Sequence, residues 1–98
     1  MTCNYALLSL FELSNELDKE YNDYENSWKN CNNENDKKIA VVNTLRWCKR
    51  NRDMFDDVEP FTVNELSTVT EHETKWSNRT MVWRSRFNQY YRQIINNN

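Results

Sequence analysis

The chain has 98 residues, one proline, no glycine and a formal net charge of -2. A chain of this length forms one domain, residues 1–98, with a modest core. Phosphate-binding loops, dinucleotide-binding turns and hydrolase nucleophile elbows need glycine, so the composition disfavours nucleotide-binding proteins and hydrolases. The nearly balanced charge gives no overall attraction to nucleic acid or to anionic membranes.

Asparagine supplies 16 of the 98 residues, far above its ordinary share. Its codons are AT-rich, so the composition indicates an AT-rich genome such as that of a phage, a mobile element or a parasite. The charges are unevenly distributed, because the first third of the chain is acidic and most of the rest is basic.

No stretch approaches the ~18 apolar residues of a membrane helix, and the opening Met1 to Leu13 lacks the basic start of a signal peptide. We therefore expect a cytoplasmic protein, in the host cytoplasm if it is viral, with no membrane partner. The three cysteines, Cys3, Cys31 and Cys48, are odd in number and lack C-x-x-C spacing. This predicts free thiols and no metal site. We also expect no cofactor and no small-molecule ligand.

The first segment reads as a helix over about residues 4–30, capped by Thr2 or Asn4. Apolar and aromatic residues recur on one heptad seam: Cys3, Leu7, Leu10, Ser14, Leu17, Tyr21, Tyr24 and Trp28. The asparagine-rich residues 30–35 predict a loop.

The second segment reads as a helix over about residues 36–57, with Asp36 as its cap. Its apolar stripe includes Val41, Leu45, Cys48, Arg52 and Phe55. Trp47 falls off this stripe, so it either packs against a third element or is exposed. Pro60 disfavours helical backbone at the residue before it and marks the end of this segment.

The third segment reads as a helix over about residues 63–95. Thr62 and Glu65 have the spacing of a capping box, and Phe61 and Leu66 that of a hydrophobic staple. Its seam consists of Leu66, Val69, Glu73, Trp76, Thr80, Trp83, Phe87, Tyr90 and Ile94. The threonine-rich residues 67–74 favour helix poorly and could divide it.

Three helices with short connections predict an all-α, antiparallel three-helix bundle with a long C-terminal helix. Counting residues across the loops places Phe55 opposite Asn64 and leaves both outer helices longer than the middle one. Residues 3–10 would then project at one end and residues 87–95 at the other. Alternatively, the chain breaks near Thr74 and covers these ends itself.

The sequence shows no spacing typical of a catalytic or metal site. His72 is the only histidine, and we interpret it as a residue on the flank of a helix. Asp56 and Asp57 are adjacent and would diverge on a helix. We therefore predict no catalytic residues and no enzymatic activity.

The basic and aromatic run between Lys75 and Arg92 is the main candidate for a functional surface, and it supports two interpretations. The first is a protein-binding surface, for a partner protein or for a homodimer, formed by Trp83, Phe87, Tyr90, Tyr91 and Ile94. The second is a nucleic-acid site, because arginine interleaved with aromatics suits phosphate and base contacts. Its residues would be Arg79, Arg84, Arg86 and Arg92. The arginines could instead pair with acids of the first helix.

We favour the protein-binding interpretation, because catalytic spacings and glycines are missing and the predicted apolar helix ends are unmatched. The nucleic-acid interpretation is weakened by the helical spacing, which places several of the aromatics on the seam and so in the core. The expected function is that of a small phage or mobile-element accessory protein that inhibits or adapts a larger host complex. The alternative is a nucleic-acid-binding helical bundle.

Overall fold

A computed structural model describes the backbone of residues 9–96 and the side chains of residues 9–92. This part of the chain consists of three α-helices: α1 (Leu10–Lys29), α2 (Glu34–Arg52) and α3 (Val63–Asn96). The predicted all-α fold is confirmed. The molecule measures 52 × 29 × 18 Å, and its long dimension is close to the roughly 50 Å of a 34-residue helix at about 1.5 Å per residue.

α1 begins at Leu10, so the prediction of a helix from residue 4 is wrong at this boundary. Ser9 has extended backbone angles, and its hydroxyl accepts the Glu12 amide hydrogen. This bond satisfies one of the amides left unpaired at a helix start. The predicted caps Thr2 and Asn4 lie outside the described residues, as does the part of the predicted projection that precedes Ser9.

α2 is shifted relative to its predicted bounds of 36–57. Asn33, instead of Asp36, is the cap; its side-chain oxygen accepts the Asp36 amide 2.8 Å away, and the Asp36 carboxylate accepts from the Asn33 amide group at 2.9 Å. At the other end, turns replace helix after Arg52. Phe55 is nevertheless buried, because these turns fold back over α3.

α3 is close to its prediction and is one continuous helix. The Glu65 amide donates to the Thr62 hydroxyl at 3.0 Å, which confirms the predicted cap. The threonines do not break the helix, and hydroxyls such as that of Thr70 donate to the carbonyl four residues earlier. Phe61 and Leu66, the predicted staple, are 87% and 53% exposed.

Contacts between helices establish their directions. Asp18 of α1 contacts Lys75 and Arg79 of α3, and Glu25 contacts Arg86 one to two turns further along both helices. α1 and α3 therefore run in the same direction.

α2 runs antiparallel to α3. The carbonyl of Lys38, near the start of α2, accepts the Tyr91 hydroxyl hydrogen, and the carbonyl of Asn51, near its end, lies 2.7 Å from the His72 ring. The down, up, down order predicted from the short loops is therefore present in the structure.

A small core fills the centre of the bundle. Its main cluster consists of Leu17, Val41, Leu45, Cys48, Trp76 and Trp83. Tyr21 and Tyr24 of α1 stack on Trp47 of α2, with ring centroids 6.5 and 4.2 Å apart. Trp47 thus takes the first of its two predicted positions, packed against another element.

Two residues of α3 contradict the predicted seam. His72 is fully buried, whereas the seam residue Glu73 is exposed. A straight helix has 3.6 residues per turn, so its buried face drifts away from a strict heptad repeat. The interpretation of His72 as a flank residue is wrong, since Phe55 stacks on it at 4.2 Å.

The predicted alignment of residues between α2 and α3 is also wrong. Phe55 lies against His72 and not opposite Asn64, because α2 ends early and the following turns reach back along α3. The beginning of α3 therefore projects, which leaves Leu66 exposed where core was predicted. At its far end, Phe87 and Tyr90 pack against the core and the Tyr91 hydroxyl bonds to α2, so residues 87–91 do not project as predicted.

Candidate functional site

The predicted nucleic-acid residue Arg79 is engaged within the bundle. Its Nη1 lies 2.8 Å from the Asp18 carboxylate, and its guanidinium lies 4.1 Å from the ring centre of Tyr21 and 4.6 Å from that of Trp76. Burial alone would raise the pKa of Asp18, but hydrogen bonds and charge attraction from Arg79 and Lys75 outweigh it and lower that pKa. Arg79 is a structural contact between α1 and α3.

Arg86 occupies a similar position one to two turns further along α3. Its guanidinium lies 4.4 Å from the ring centre of Trp28 and 4.5 Å from that of Trp83, and Glu25 is 3.8 Å away. Cation–π contacts of this kind stabilise a fold when the cation is shielded from water. The acids of α1 therefore pair with these two arginines, which is the third possibility that the sequence left open.

The other two predicted arginines, Arg84 and Arg92, are exposed. Neither forms an ion pair within the described part of the chain. The predicted basic face of α3 is thus divided: Arg79 and Arg86 face α1, while Arg84 and Arg92 face solvent.

The predicted protein-binding aromatics also separate. Trp83 is fully buried, and its indole N–H donates to the Tyr21 hydroxyl at 3.1 Å. Tyr90 is half-buried against the core. Phe87 and Tyr91 are half-buried and stack on each other at 4.6 Å. The side chain of Ile94 lies outside the described side chains.

Phe87 and Arg84 line a groove between α2 and α3. Neither Arg79 nor Arg86, which contact α1, belongs to its lining. The groove has a volume of about 360 Å³ and is lined by Val42, Leu45, Arg46, Lys49, Arg84, Phe87 and Asn88. Its floor is apolar and consists of Val42, Leu45 and Phe87. We call it the α2–α3 groove.

The rim of the α2–α3 groove carries three positive charges and no acid. Arg46 and Arg84 are exposed and Lys49 is half-buried. None of the three has an ion-pair partner among the described residues. Residues 37–52 and 74–98, which include all the lining residues, contain no Asp or Glu.

An apolar floor with a cationic rim suits a ligand that carries both an apolar group and negative charge. The floor offers dispersion contacts and removes apolar surface from water. The rim attracts anions, and the attraction is strongest where the surrounding helices exclude water. The volume lies at the lower end of the roughly 300–1,000 Å³ of typical ligand sites, so it accommodates a few anchoring side chains or a small molecule.

The groups most suited to acid–base or thiol chemistry lie elsewhere and are shielded. His72 is fully buried between Phe55 and Trp76. Burial raises the pKa of the Cys48 thiol to about 12. Cys31 and Cys48 are free thiols, as predicted, whereas Cys3 lies outside the described residues.

Within residues 9–96, none of the three helices combines the length and apolarity that crossing a membrane requires. The same part of the chain contains no group of three or more His, Cys, Asp or Glu side chains placed to hold a metal ion.

The sequence predicted Phe87 and Arg84 as functional residues but did not indicate the contribution of α2. Val42, Arg46 and Lys49 recur at intervals of four and three residues and so share one helix face. That spacing was a usable signal. The face of α3 that packs beside this face of α2 depends on the register between the two helices. The register predicted by counting residues across the loop was wrong.

Comparison of the chain with models of known protein families, with curated proteins and with solved structures finds no match.

Proposed function

We propose that the chain is a non-enzymatic protein-binding module that receives a segment of a partner protein in the α2–α3 groove. The observation that supports this most directly is the combination of an apolar floor with three unpaired cations between two helices. Partner helices commonly bind in such grooves by inserting apolar side chains at helical spacing. Protein interfaces likewise combine an apolar centre with a polar rim.

We further propose that the module is an accessory protein of a phage or mobile element that acts in the host cytoplasm, where it inhibits or adapts a larger complex. The asparagine-rich composition supports such a source. The small size of the chain and its half-exposed groove support a role that depends on binding.

Capture of partners from a lysate of the source cells tests this function. The variant Arg46→Glu/Arg84→Glu reverses two rim charges, while Arg50→Glu/Arg92→Glu makes the same change in net charge at exposed arginines outside the groove lining. We expect the groove variant to lose partners that the wild type and the control retain, as measured by quantitative mass spectrometry. Equal capture by all three proteins would contradict the proposal.

A second candidate function is nucleic-acid binding, which the unpaired Arg46, Lys49, Arg84 and Arg92 favour. Phosphate contacts release counterions, so the affinity would fall steeply as salt rises, with a log–log slope of about -0.9 for each phosphate contacted on duplex DNA. A titration of a labelled duplex at low salt measures this. Absence of binding there would remove this candidate.

A further inference from the structure

The connection between α2 and α3 is strongly acidic. Residues 53–74 contain no Lys or Arg and seven acids: Asp53, Asp56, Asp57, Glu59, Glu65, Glu71 and Glu73. We call residues 53–66, which comprise the turns after α2 and the start of α3, the acidic tip. Asp56, Asp57 and Glu59 are exposed and have no ion-pair partner among the described residues.

The acidic tip also exposes apolar side chains. Phe61 is 87% exposed, Val63 82%, and Leu66 53%. Single exposed apolar residues are common on protein surfaces, but here three lie within six consecutive positions. Phe61 alone offers a large aromatic anchor of the type that dominates binding energies at interfaces.

The acidic tip and the α2–α3 groove are complementary in charge and in apolar character. The tip presents three unpaired carboxylates around an exposed aromatic ring, and the groove presents three unpaired cations around an apolar floor. Complementary charges of this kind steer association and select the partner.

The two surfaces cannot meet within one chain. Val63 and Phe87 are 24 positions apart in α3, which corresponds to a rise of about 36 Å at about 1.5 Å per residue. α3 is one continuous helix over this distance, so Phe61 cannot reach the groove floor beside Phe87 of its own chain. A contact between tip and groove must involve two molecules.

We propose that the acidic tip of one copy docks into the α2–α3 groove of a second copy, with Phe61 against the floor and the carboxylates of Asp56, Asp57 and Glu59 facing the cationic rim. This rests on the proposed function, since it takes the groove as a protein-binding site, and it names the partner as the chain itself. Nucleic acid fits less well, because its phosphate backbone has no group equivalent to Phe61 for the apolar floor.

The contact joins different surfaces of the two copies, so it is heterologous. Each added molecule leaves one tip and one groove free. The assembly therefore grows into a chain or closes into a ring, unlike a symmetric homodimer, in which both copies use the same surface.

Sedimentation velocity at low salt, from about 1 μM to about 1 mM protein, tests whether copies associate in the millimolar-or-tighter range. We expect the wild type to form species larger than dimers as the concentration rises. The tip variant Asp57→Asn/Phe61→Ser and the groove variant Arg46→Glu/Arg84→Glu should each associate at least about tenfold more weakly, the change that a loss of about 1.4 kcal/mol produces. The control Arg50→Glu/Arg92→Glu should assemble like the wild type. All substituted residues are exposed, and circular dichroism verifies that each variant remains folded.

An equimolar mixture of the tip and groove variants provides the decisive measurement. The groove variant retains an intact tip and the tip variant an intact groove, so the mixture should form a complex of two chains and nothing larger. A wild type that stays monomeric overturns the proposal, as do variants that assemble normally or a mixture that forms no complex.

The same samples distinguish this inference from the proposed function. If the copies do not associate, yet the groove variant loses a captured partner that the control keeps, self-docking is overturned and the proposed function stands. A duplex oligonucleotide added to the sedimentation runs tests the other class of ligand. Binding that requires Arg46 and Arg84 while the chain remains monomeric would also overturn self-docking.

Discussion

Asp18 joins α1 to the rest of the bundle through charge. Its carboxylate lies 3.0 Å from Lys75 Nζ and 2.8 Å from Arg79 Nη1, and its side chain is 32% exposed. The ion pair between Lys19 and Glu16, both on α1, is more exposed. Water therefore screens this pair more strongly than it screens the contacts of Asp18.

The substitution Asp18→Asn should lower the free energy of unfolding by about 1–2 kcal/mol, because hydrogen bonds between charged groups are lost and Arg79 keeps its charge in a half-buried position. Glu16→Gln should change it by less than about 0.5 kcal/mol. Urea denaturation measures both. Equal effects of the two substitutions would show that the Asp18 contacts add no stability beyond that of a surface pair.

His72 is a buried base that the bundle holds neutral. Its Nε2 lies 2.7 Å from the Asn51 carbonyl; only an N–H can donate to that oxygen, so Nε2 carries the proton. Burial lowers the pKa of His72, which the Asn51 hydrogen bond partly opposes and the charge of Lys75 reinforces. The unfolded chain therefore binds a proton at higher pH than the folded protein does.

The protein should consequently lose stability as the pH falls. The contribution is fully present above the ordinary histidine pKa of about 6.5, declines as the pH drops below it, and amounts to about 1.4 kcal/mol for each unit by which the two pKa values differ. The unfolding free energy measured between pH 7 and pH 5 should fall more in the wild type than in His72→Phe, which keeps a stacked ring without a titrating group. Parallel pH profiles would contradict this assignment.

α3 is one helix in two environments. Val69, Trp76, Thr80 and Trp83 are buried, whereas Leu66 projects beyond the end of α2. A helix end without packing opens more readily than the core does. The first turn of α3 thus depends on the Thr62 cap and not on burial.

Matched leucine substitutions should show this difference. Leu66→Ala removes a side chain that is 53% exposed, and Leu17→Ala removes one that is 2% exposed. We expect a loss of less than about 0.5 kcal/mol for Leu66 and about 2–5 kcal/mol for Leu17. Thermal or urea unfolding provides the comparison, and similar losses at both positions would mean that the start of α3 is covered.

The sequence predicted the helices better than it predicted their alignment. The Thr62 cap and the seam residues Trp76 and Trp83 depend on local spacing, and all three were confirmed. The predicted end of α2 was wrong because Phe55 continues the apolar spacing of the helix, although residues 53–57 form turns. That error displaced the counted register between α2 and α3. Because the groove is defined by two helices, only Phe87 and Arg84 could be anticipated from α3.

In the whole molecule, positive and negative charges lie in different regions of the surface. Of the six acids of α1, Asp18 and Glu25 pair with Arg79 and Arg86, which belong to the basic residues 75–92 of α3. The outer side of α2 and α3 has no such partner, and the acidic tip lies at one end. The net charge is only -2, but the positive and negative charges are separated into different regions of the molecule.

Salt should control the size of the particle in solution. At about 1 M salt the screening length is about 3 Å, and small-angle X-ray scattering should give a single chain with a radius of gyration near the 15.9 Å of the structure. At low salt and high concentration the maximum dimension should exceed the 52 Å of one molecule. A scattering curve that does not change with salt would show that the separated charges do not drive association.

The tryptophan cluster has a consequence for measurement. All four tryptophans of the chain lie in the aromatic packing around α1, and rings such as Trp47 and Trp76 meet edge to face at 5.1 Å. Fixed rings this close should give a strong near-ultraviolet circular dichroism signal that disappears on unfolding. The cluster is therefore a built-in optical reporter of whether α1 is docked. Neither the acidic tip nor the lining of the groove contains a tryptophan, so this signal should stay nearly constant when two copies dock. In every variant described above, a loss of the signal would therefore indicate unfolding and not a loss of binding.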